Sequence, residues 1–293
     1  MKYKSFIKFF PFYAISIAPM FMLYGLSNVL FVTSYHIAKY RRKVVHRNLV
    51  SSFPDKSEHE IELIERKFYR HFCDVLVESI KVLTISKKEI KKRFVVKNPE
   101  LIQHYFNENR SIILYAAHQG NWEWLSFLPL MIPYQANTFY LPLTNRYFDD
   151  LMKTIRSRFG LQCVETPKGY KFILSMNDQG VKMMNGIIGD QSPAKKATKH
   201  WTQFLNQETA FLIGADRIAK KSNQVLVFPA FTKLRRGYYE LKFETIEEFP
   251  KEKNGSAIID GYVSLLEKTI LNAPELWLWS HNRWKLTHRI TLK

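Results

Sequence analysis

The sequence predicts an α/β protein: a mixed sheet covered by helices, preceded by an N-terminal membrane-associated helical segment. Three observations predict it. From about residue 110, short apolar runs alternate with helix-period patterns, the signature of strands flanked by helices. From Phe9 to Ala38 no Asp, Glu, Lys or Arg occurs, ordinary for a helix in lipid and unusual for one in water. A formal charge of +18 has its strongest run, Tyr40-Arg-Arg-Lys-Val-Val-His-Arg, directly after that apolar stretch. No linker rich in Pro, Gly or Ser divides the 293 residues, so the expected organisation is an anchoring segment, 1–40, and one large domain, 41–293.

The N-terminal run is too long for one straight span. Thirty residues of helix would measure about 45 Å against a hydrocarbon core of about 30 Å. Pro19 is expected to divide it into an interfacial piece, Phe6 to Ala18, and a spanning or deeply inserted helix from Pro19 to about Ala38. The other readings are a cleaved signal peptide, which the missing A-x-A site and the following basic cluster disfavour, and a buried soluble helix pair. The basic residues beyond Ala38 place that end, and the domain after it, on the cytoplasmic side.

Ser57 with Glu60 makes a capping box, and Ile61, Ile64, Phe68, Phe72 and Val75 follow at spacings of three and four. A long helix burying one face is expected there. The alternation then runs as strand Ser111 to Ala117, helix Trp122 to Leu128, strand Asn137 to Leu141 and helix Arg146 to Arg158. It continues as strand Gly186 to Gly189, helix Thr209 to Lys220 and strand Val225 to Thr232. Arg236-Gly237 suggests a hairpin into Tyr238 to Thr245, making the sheet mixed. A final helix, about Gly255 to Leu271, closes the domain.

Cys73 and Cys163 are the two cysteines. They show no metal spacing and no disulfide framework, which suits core thiols in a reducing compartment. A basic balance serves nucleic acid, anionic lipid or an acidic protein. Its placement beside the apolar run favours lipid headgroups and argues against nucleic acid.

The most informative string is HQGNWE, His118 to Glu123, where the run SIILYAA breaks into polarity. In open α/β sheets the C-terminal ends of strands are where sites are built. On one continuous helix His118 and Glu123 would lie about 140° apart. They meet only if Gly120-Asn121 makes a turn, which Gly permits. An imidazole beside a carboxylate is a base with its orienter. With nine His in the chain, this spacing also arises by chance.

Further blocks accompany it in order: NRYFDDLMKTIRSR with Asn145, Asp149, Arg156 and Arg158, then GIIGDQ with Asp190 and Gln191. The last is PELWLWSHNRWK with Pro274, Glu275, Trp277, Trp279, His281 and Arg283. Together with HQGNWE, the apolar N-terminus and the YRRKVVHRNL stretch, they make the chain resemble the lipid A lauroyl/myristoyl (late) acyltransferase family of lipopolysaccharide synthesis, within the lysophospholipid acyltransferase superfamily. Arg146 stands where the family usually has Pro, and Ser280 and Asn282 interrupt its terminal Leu-His-Arg-Arg string. These departures bear on the acceptor and leave the reaction type untouched.

The resemblance implies acyl transfer from an acyl carrier protein thioester to a hydroxyl of an anionic lipid A precursor, at the inner membrane. His118 would be the general base, Glu123 its orienter and Arg156 a catalytic cation, with Asn121, Arg158, Asp190 and Gln191 binding substrate. No Gly-x-Ser-x-Gly elbow occurs, so direct attack by the acceptor hydroxyl is favoured over an acyl-enzyme. No metal and no cofactor beyond the thioester donor is expected.

Blander readings stand beside these. Arg156 and Arg158 suit a solvated helix C-terminus, and Asp190-Gln191 suits a loop cap. Lys195, Lys196, Lys199 and His200 read as a solvated loop or as a patch for an acidic carrier protein. Trp277 and Trp279 read as core or interfacial belt residues. The competing functions are the same chemistry on a lysophospholipid or amino-acid lipid, and a non-catalytic basic peripheral membrane protein.

Overall fold

The structure, a computed structural model, describes residues 2–197 and 199–286. The chain begins with helices α1 (Lys2–Lys8), α2 (Phe10–Ile17) and α3 (Met20–Phe31), the last continued by a π-helical turn, Val32–Ile37. Pro19 makes the break: it sits at the N-cap of α3 and Ala18 before it is extended, with ψ 142°, as a residue preceding proline prefers. Met20–Ile37 has a mean hydropathy of 1.2 and is long and apolar enough to cross a membrane. It has two sides. Met20, Leu23, Ser27 and Phe31 are buried, whereas Phe21, Met22, Val29 and Val32 are exposed, Phe21 by 74%.

After α4 (Arg42–Ser52) comes α5 (Glu58–Lys81). The Ser57 side chain accepts from the Glu60 N–H, and the Glu60 carboxylate accepts from the Ser57 N–H at 2.9 Å. This satisfies two of the donors that a helix start leaves open. Then follow α6 (Lys87–Arg93), β1 (Phe94–Val96), α7 (Pro99–Asn107), β2 (Ile112–Ala116), a 3-10 helix at Trp122–Leu130 and β3 (Gln135–Tyr140). Next are α8 (Arg146–Ser157), β4 (Gln162–Glu165), α9 (Thr166–Asp178) and β5 (Met183–Ile188). The chain continues through β6 (Lys199–Phe204), β7 (Gln207–Leu212), α10 (Gly214–Ser222), β8 (Val225–Arg235), β9 (Tyr238–Glu247) and α11 (Ala257–Asn272).

Seven strands form one sheet in the order β1-β9-β8-β2-β5-β3-β4. Every pairing is parallel except β8 with β9, joined by the expected hairpin at Arg236-Gly237. Helices cover both faces, and alternate side chains of β2 divide between two cores. Ile113 and Tyr115 pack with α5, α11 and the tryptophans at 277, 279 and 284. Ile112 and Leu114 pack with Trp124, Phe127 and Ile155. A strand covered on both faces is apolar at every position, which is why IILYA is buried throughout.

Two expected helices differ. Thr209 to Lys220 is not continuous: Thr209–Leu212 belongs to β7, paired antiparallel with β6, and the helix starts only at Gly214. The β6–β7 turn is Leu205-Asn206, both at positive φ, 49° and 61°. Tertiary contacts impose this hairpin geometry on a pair without the usual glycine. Trp122 to Leu128 is a 3-10 helix reaching Leu130 with Pro129 inside it; proline cannot supply the N–H that an α-helical turn needs.

Candidate active site

β2 and β5 are parallel neighbours with Ala116 opposite Ile188. Two residues beyond each strand end stand His118 and Asp190, side by side. The His118 N–H donates to Asp190 Oδ2 at 3.0 Å, and His118 Nδ1 lies 2.9 Å from Asp190 Oδ1. Trp277 Nε1 donates to Asp190 Oδ2 at 2.8 Å. A carboxylate only accepts, so Nδ1 carries a hydrogen, and in the neutral ring Nε2 keeps its lone pair. Gln191 Nε2 lies 3.4 Å from that atom. Asp190 is 2% exposed. Burial works against its charge, but the neighbouring His118 charge and the bonds from His118 and Trp277 hold its carboxyl below the usual range.

Gly120, with φ 63°, makes the turn. A Cβ there would stand 2.5 Å from Cβ of Phe231, so both the backbone conformation and the space require glycine. The C-terminal segment stitches the turn down: the Gly120 N–H donates to Leu276 O at 2.9 Å and the Leu278 N–H to His118 O at 3.1 Å. Beyond the turn the Trp122 ring stands edge-on to His118, with centroids 5.4 Å apart.

Glu123, 8% exposed, takes a different partner. Arg156 Nε donates to its Oε2 at 2.9 Å and Nη2 to its Oε1 at 2.6 Å, a bidentate fork, with Trp122 Nε1 adding a bond at 3.2 Å. Burial opposes the Glu123 charge, yet the Arg156 charge and bonds lower its pKa, while the Arg156 guanidinium is raised by Glu123. α8 is set up to deliver Arg156. The Asn145 side chain caps its start by accepting from the Tyr147 and Phe148 N–H groups, and Asp149 Oδ1 anchors the preceding loop through the Leu143 N–H at 2.8 Å. A cavity of about 50 Å³ bordered by Tyr140, Leu143, Met152 and Cys163 adjoins Arg156. That is the volume of roughly two waters.

Three expectations are corrected. Glu123 does not contact His118 through a hydrogen bond: its two oxygens are engaged by Arg156, and the carboxylate bonded to the imidazole is Asp190 from the neighbouring strand. Arg158 is not at the site, because its Nη1 donates to the carbonyls of Ile85, at 2.8 Å, and Val82, just past the end of α5. Asn121 is fully buried, with Nδ2 bonded to Glu78 Oε2 at 2.6 Å, so its amide supports the turn from within the fold. Gln191 remains exposed beside His118.

The structure also assigns partners to residues read as core or left without a role. Trp277 holds Asp190. His281 Nε2 accepts from the Ser192 N–H at 3.0 Å, and burial pushes its pKa down to about 4, which suits an acceptor. Arg283, buried and donating to Ala210 O at 2.7 Å, is pushed down to about 10 by burial against the opposing pull of Asp190. The PELWLWSHNRWK string was the available signal, since apolar packing alone does not call for so many polar side chains between tryptophans.

Residues 2–286 match the family model described as bacterial lipid A biosynthesis acyltransferase. The chain is 24% identical over 246 residues to the lipid A biosynthesis acyltransferase of Haemophilus influenzae, covering 83% of this chain and 76% of that protein. It is 23% identical over 265 residues to the lipid A biosynthesis palmitoleoyltransferase of Escherichia coli K12, covering 84% and 79%. A lipid A biosynthesis acyltransferase of Shigella flexneri matches with the same identity and coverage.

Proposed function

The chain belongs to the bacterial lipid A biosynthesis acyltransferase family, and from that premise we propose that it moves a fatty acyl chain from an acyl carrier protein thioester to a hydroxyl of a lipid A precursor. The observation that carries the mechanism is the His118–Asp190 pair at the ends of two central strands. In this reading Nε2 of His118 takes the acceptor's hydroxyl proton as the oxygen attacks the thioester carbonyl. Asp190 stabilises the imidazolium that forms. Collapse of the tetrahedral intermediate breaks the C–S bond, and the imidazolium returns its proton to the departing thiolate, leaving an ester and a free carrier thiol.

Arg156, locked by Glu123, is the cation for the thioester oxyanion or an acceptor phosphate. Its fork retains N–H donors beyond the two given to Glu123. Gln191, exposed beside Nε2, is the candidate for the acceptor sugar. The exposed Lys195 and Lys196, a few residues past Gln191, suit an acidic carrier protein.

Residues 1–40 serve as the anchor and 41–293 as the catalytic domain, at the cytoplasmic face of the inner membrane. The outward apolar side of Met20–Ile37 and the basic run after it support this placement.

The test is the full-length protein in detergent with acyl carrier protein thioester and a Kdo-bearing lipid A precursor, read by mass spectrometry. One added acyl chain is expected, and none with His118→Ala. An unmodified precursor beside an acylated lysophospholipid or amino-acid lipid would overturn the substrate and keep the chemistry. Full turnover by His118→Ala would overturn the mechanism.

A further inference from the structure

α5 carries three buried polar side chains on one stripe, His71, Asp74 and Glu78, at spacings of three and four. The stripe touches the apolar N-terminal helix on one side and the HQGNWE turn on the other. Asp74 accepts from Ser27 Oγ at 2.7 Å and from Arg236 Nη2 at 2.6 Å. Glu78 Oε1 accepts from the Tyr24 hydroxyl at 2.9 Å; its Oε2 accepts from Asn121 Nδ2 at 2.6 Å and the Tyr239 hydroxyl at 2.9 Å. His71 Nε2 lies 3.0 Å from Gly120 O, and Lys233 Nζ 3.2 Å from its Nδ1. His71 therefore donates to the turn and accepts from the lysine. Burial, then the Lys233 charge, pushes its pKa down to about 3, which keeps the ring neutral.

A carboxylate with no exposure is a poor choice for stability alone. Replacing a buried charge network by apolar side chains of similar volume is often neutral or stabilising. Burial, and next the charge of Asp74, push the Glu78 carboxyl up to about 7, a measure of how strongly the location resists a charge. Glu78 is sealed from solvent and from any substrate, so it cannot act on the reacting atoms. Its oxygens are shared between α3, β9 and the residue three past His118.

We propose that Glu78 is a positioning residue: through Asn121 it fixes the turn that presents His118, and through Tyr24 it ties that turn to the apolar helix α3. The consequence for activity rests on the acyl-transfer reading; the coupling of turn and helix does not. α3 is then part of the catalytic framework as well as an anchor, and its seat on α5 sets the turn's geometry.

The test uses the full-length protein in detergent. Glu78→Gln keeps a carbonyl oxygen for the Tyr24 hydroxyl but points an amide at the Asn121 amide, donor against donor, and at the Tyr239 hydroxyl that shares Oε2 with it. Its kcat should fall about tenfold or more, as for an interaction felt in the transition state, with KM for the thioester donor within about twofold. Hydrogen exchange should quicken in peptides covering 117–124 and stay unchanged in the central strands. Glu78→Gln with Asn121→Asp restores the bond with its polarity exchanged and should recover most of the lost rate and slow the exchange again. Tyr24→Phe should give the same pattern at smaller amplitude, and it stands in if Glu78→Gln does not fold. Wild-type kcat and exchange in Glu78→Gln, exchange raised uniformly across the sheet, or no recovery in the double variant would overturn the proposal. If the wild-type protein transfers no acyl group, the functional reading fails and exchange at 117–124 alone decides the coupling.

Discussion

Asp190 and Glu123 are both buried carboxylates beside the same turn, and they differ in the cation each holds. Asp190 bonds an imidazole, a ring whose two nitrogens can serve one as donor and one as acceptor. Glu123 bonds a guanidinium, which stays protonated at any physiological pH. Both carboxyls are held below their ordinary pKa values by these partners. The partner therefore decides the use: the first pair can move a proton, and the second is a fixed dipole that holds shape and charge. Sequence spacing alone suggested Glu123 as the partner of His118.

The largest effect expected from this difference is in Asp190→Asn. An amide can donate to Nδ1 and favour the tautomer that places a hydrogen on Nε2, where the base needs a lone pair. Transfer should fall by about 10²–10⁴-fold with little change in melting temperature, measured at saturating donor. A near-normal rate would dissolve the distinction between the two pairs.

Arg156→Lys comes next. One ammonium cannot reproduce a bidentate fork, and the loss of one oriented, charge-assisted bond is worth roughly tenfold to a hundredfold in rate. A fall as deep as that of Asp190→Asn would make the guanidinium an equal partner in the chemistry and blunt the comparison.

The same contrast extends to acid. Asp190 and Glu123, with folded pKa values lowered, contribute stability that is present above their unfolded values, about 3.9 and 4.3, and is lost as pH falls through the folded ones. His71 acts over a higher window. Its folded pKa of about 3 lies below the unfolded value of about 6.5, so the unfolded chain binds the proton first. Stability should fall as pH drops from about 6.5 toward 3, by at most about 1.4 kcal/mol per pH unit for this one group. Melting curves between pH 7 and 4 should be flatter for His71→Gln; an unchanged slope would mean that His71 is not held neutral.

Arg158→Ala should be the mildest in catalysis. It removes bonds to two carbonyls at the end of α5 and should cost about 1–3 kcal/mol of stability, seen as a lower melting temperature at near-normal kcat. Lost activity at wild-type stability would return Arg158 to the site.

Chain order and local chemistry were sufficient for much of this protein. The Pro19 break, the Ser57–Glu60 cap, the buried strand IILYA, the turn at Gly120 and the hairpin at Arg236-Gly237 each follow from φ restriction, capping or periodicity within a few residues, and each is present. His118, Glu123, Arg156, Asp190 and Gln191 were all named from motifs as candidates. Their pairing was not legible. Asp190 reaches His118 only because β5, three strands later in sequence, runs beside β2 with Ala116 opposite Ile188. The Glu78 bond to Asn121 likewise depends on how α5 packs against the sheet. Strand neighbours and helix docking are chosen by burial summed over the whole core, which is non-directional and spread over many residues. Local sequence therefore determined which side chains stand at strand ends and turns, and only the assembled sheet decided which carboxylate would meet the imidazole.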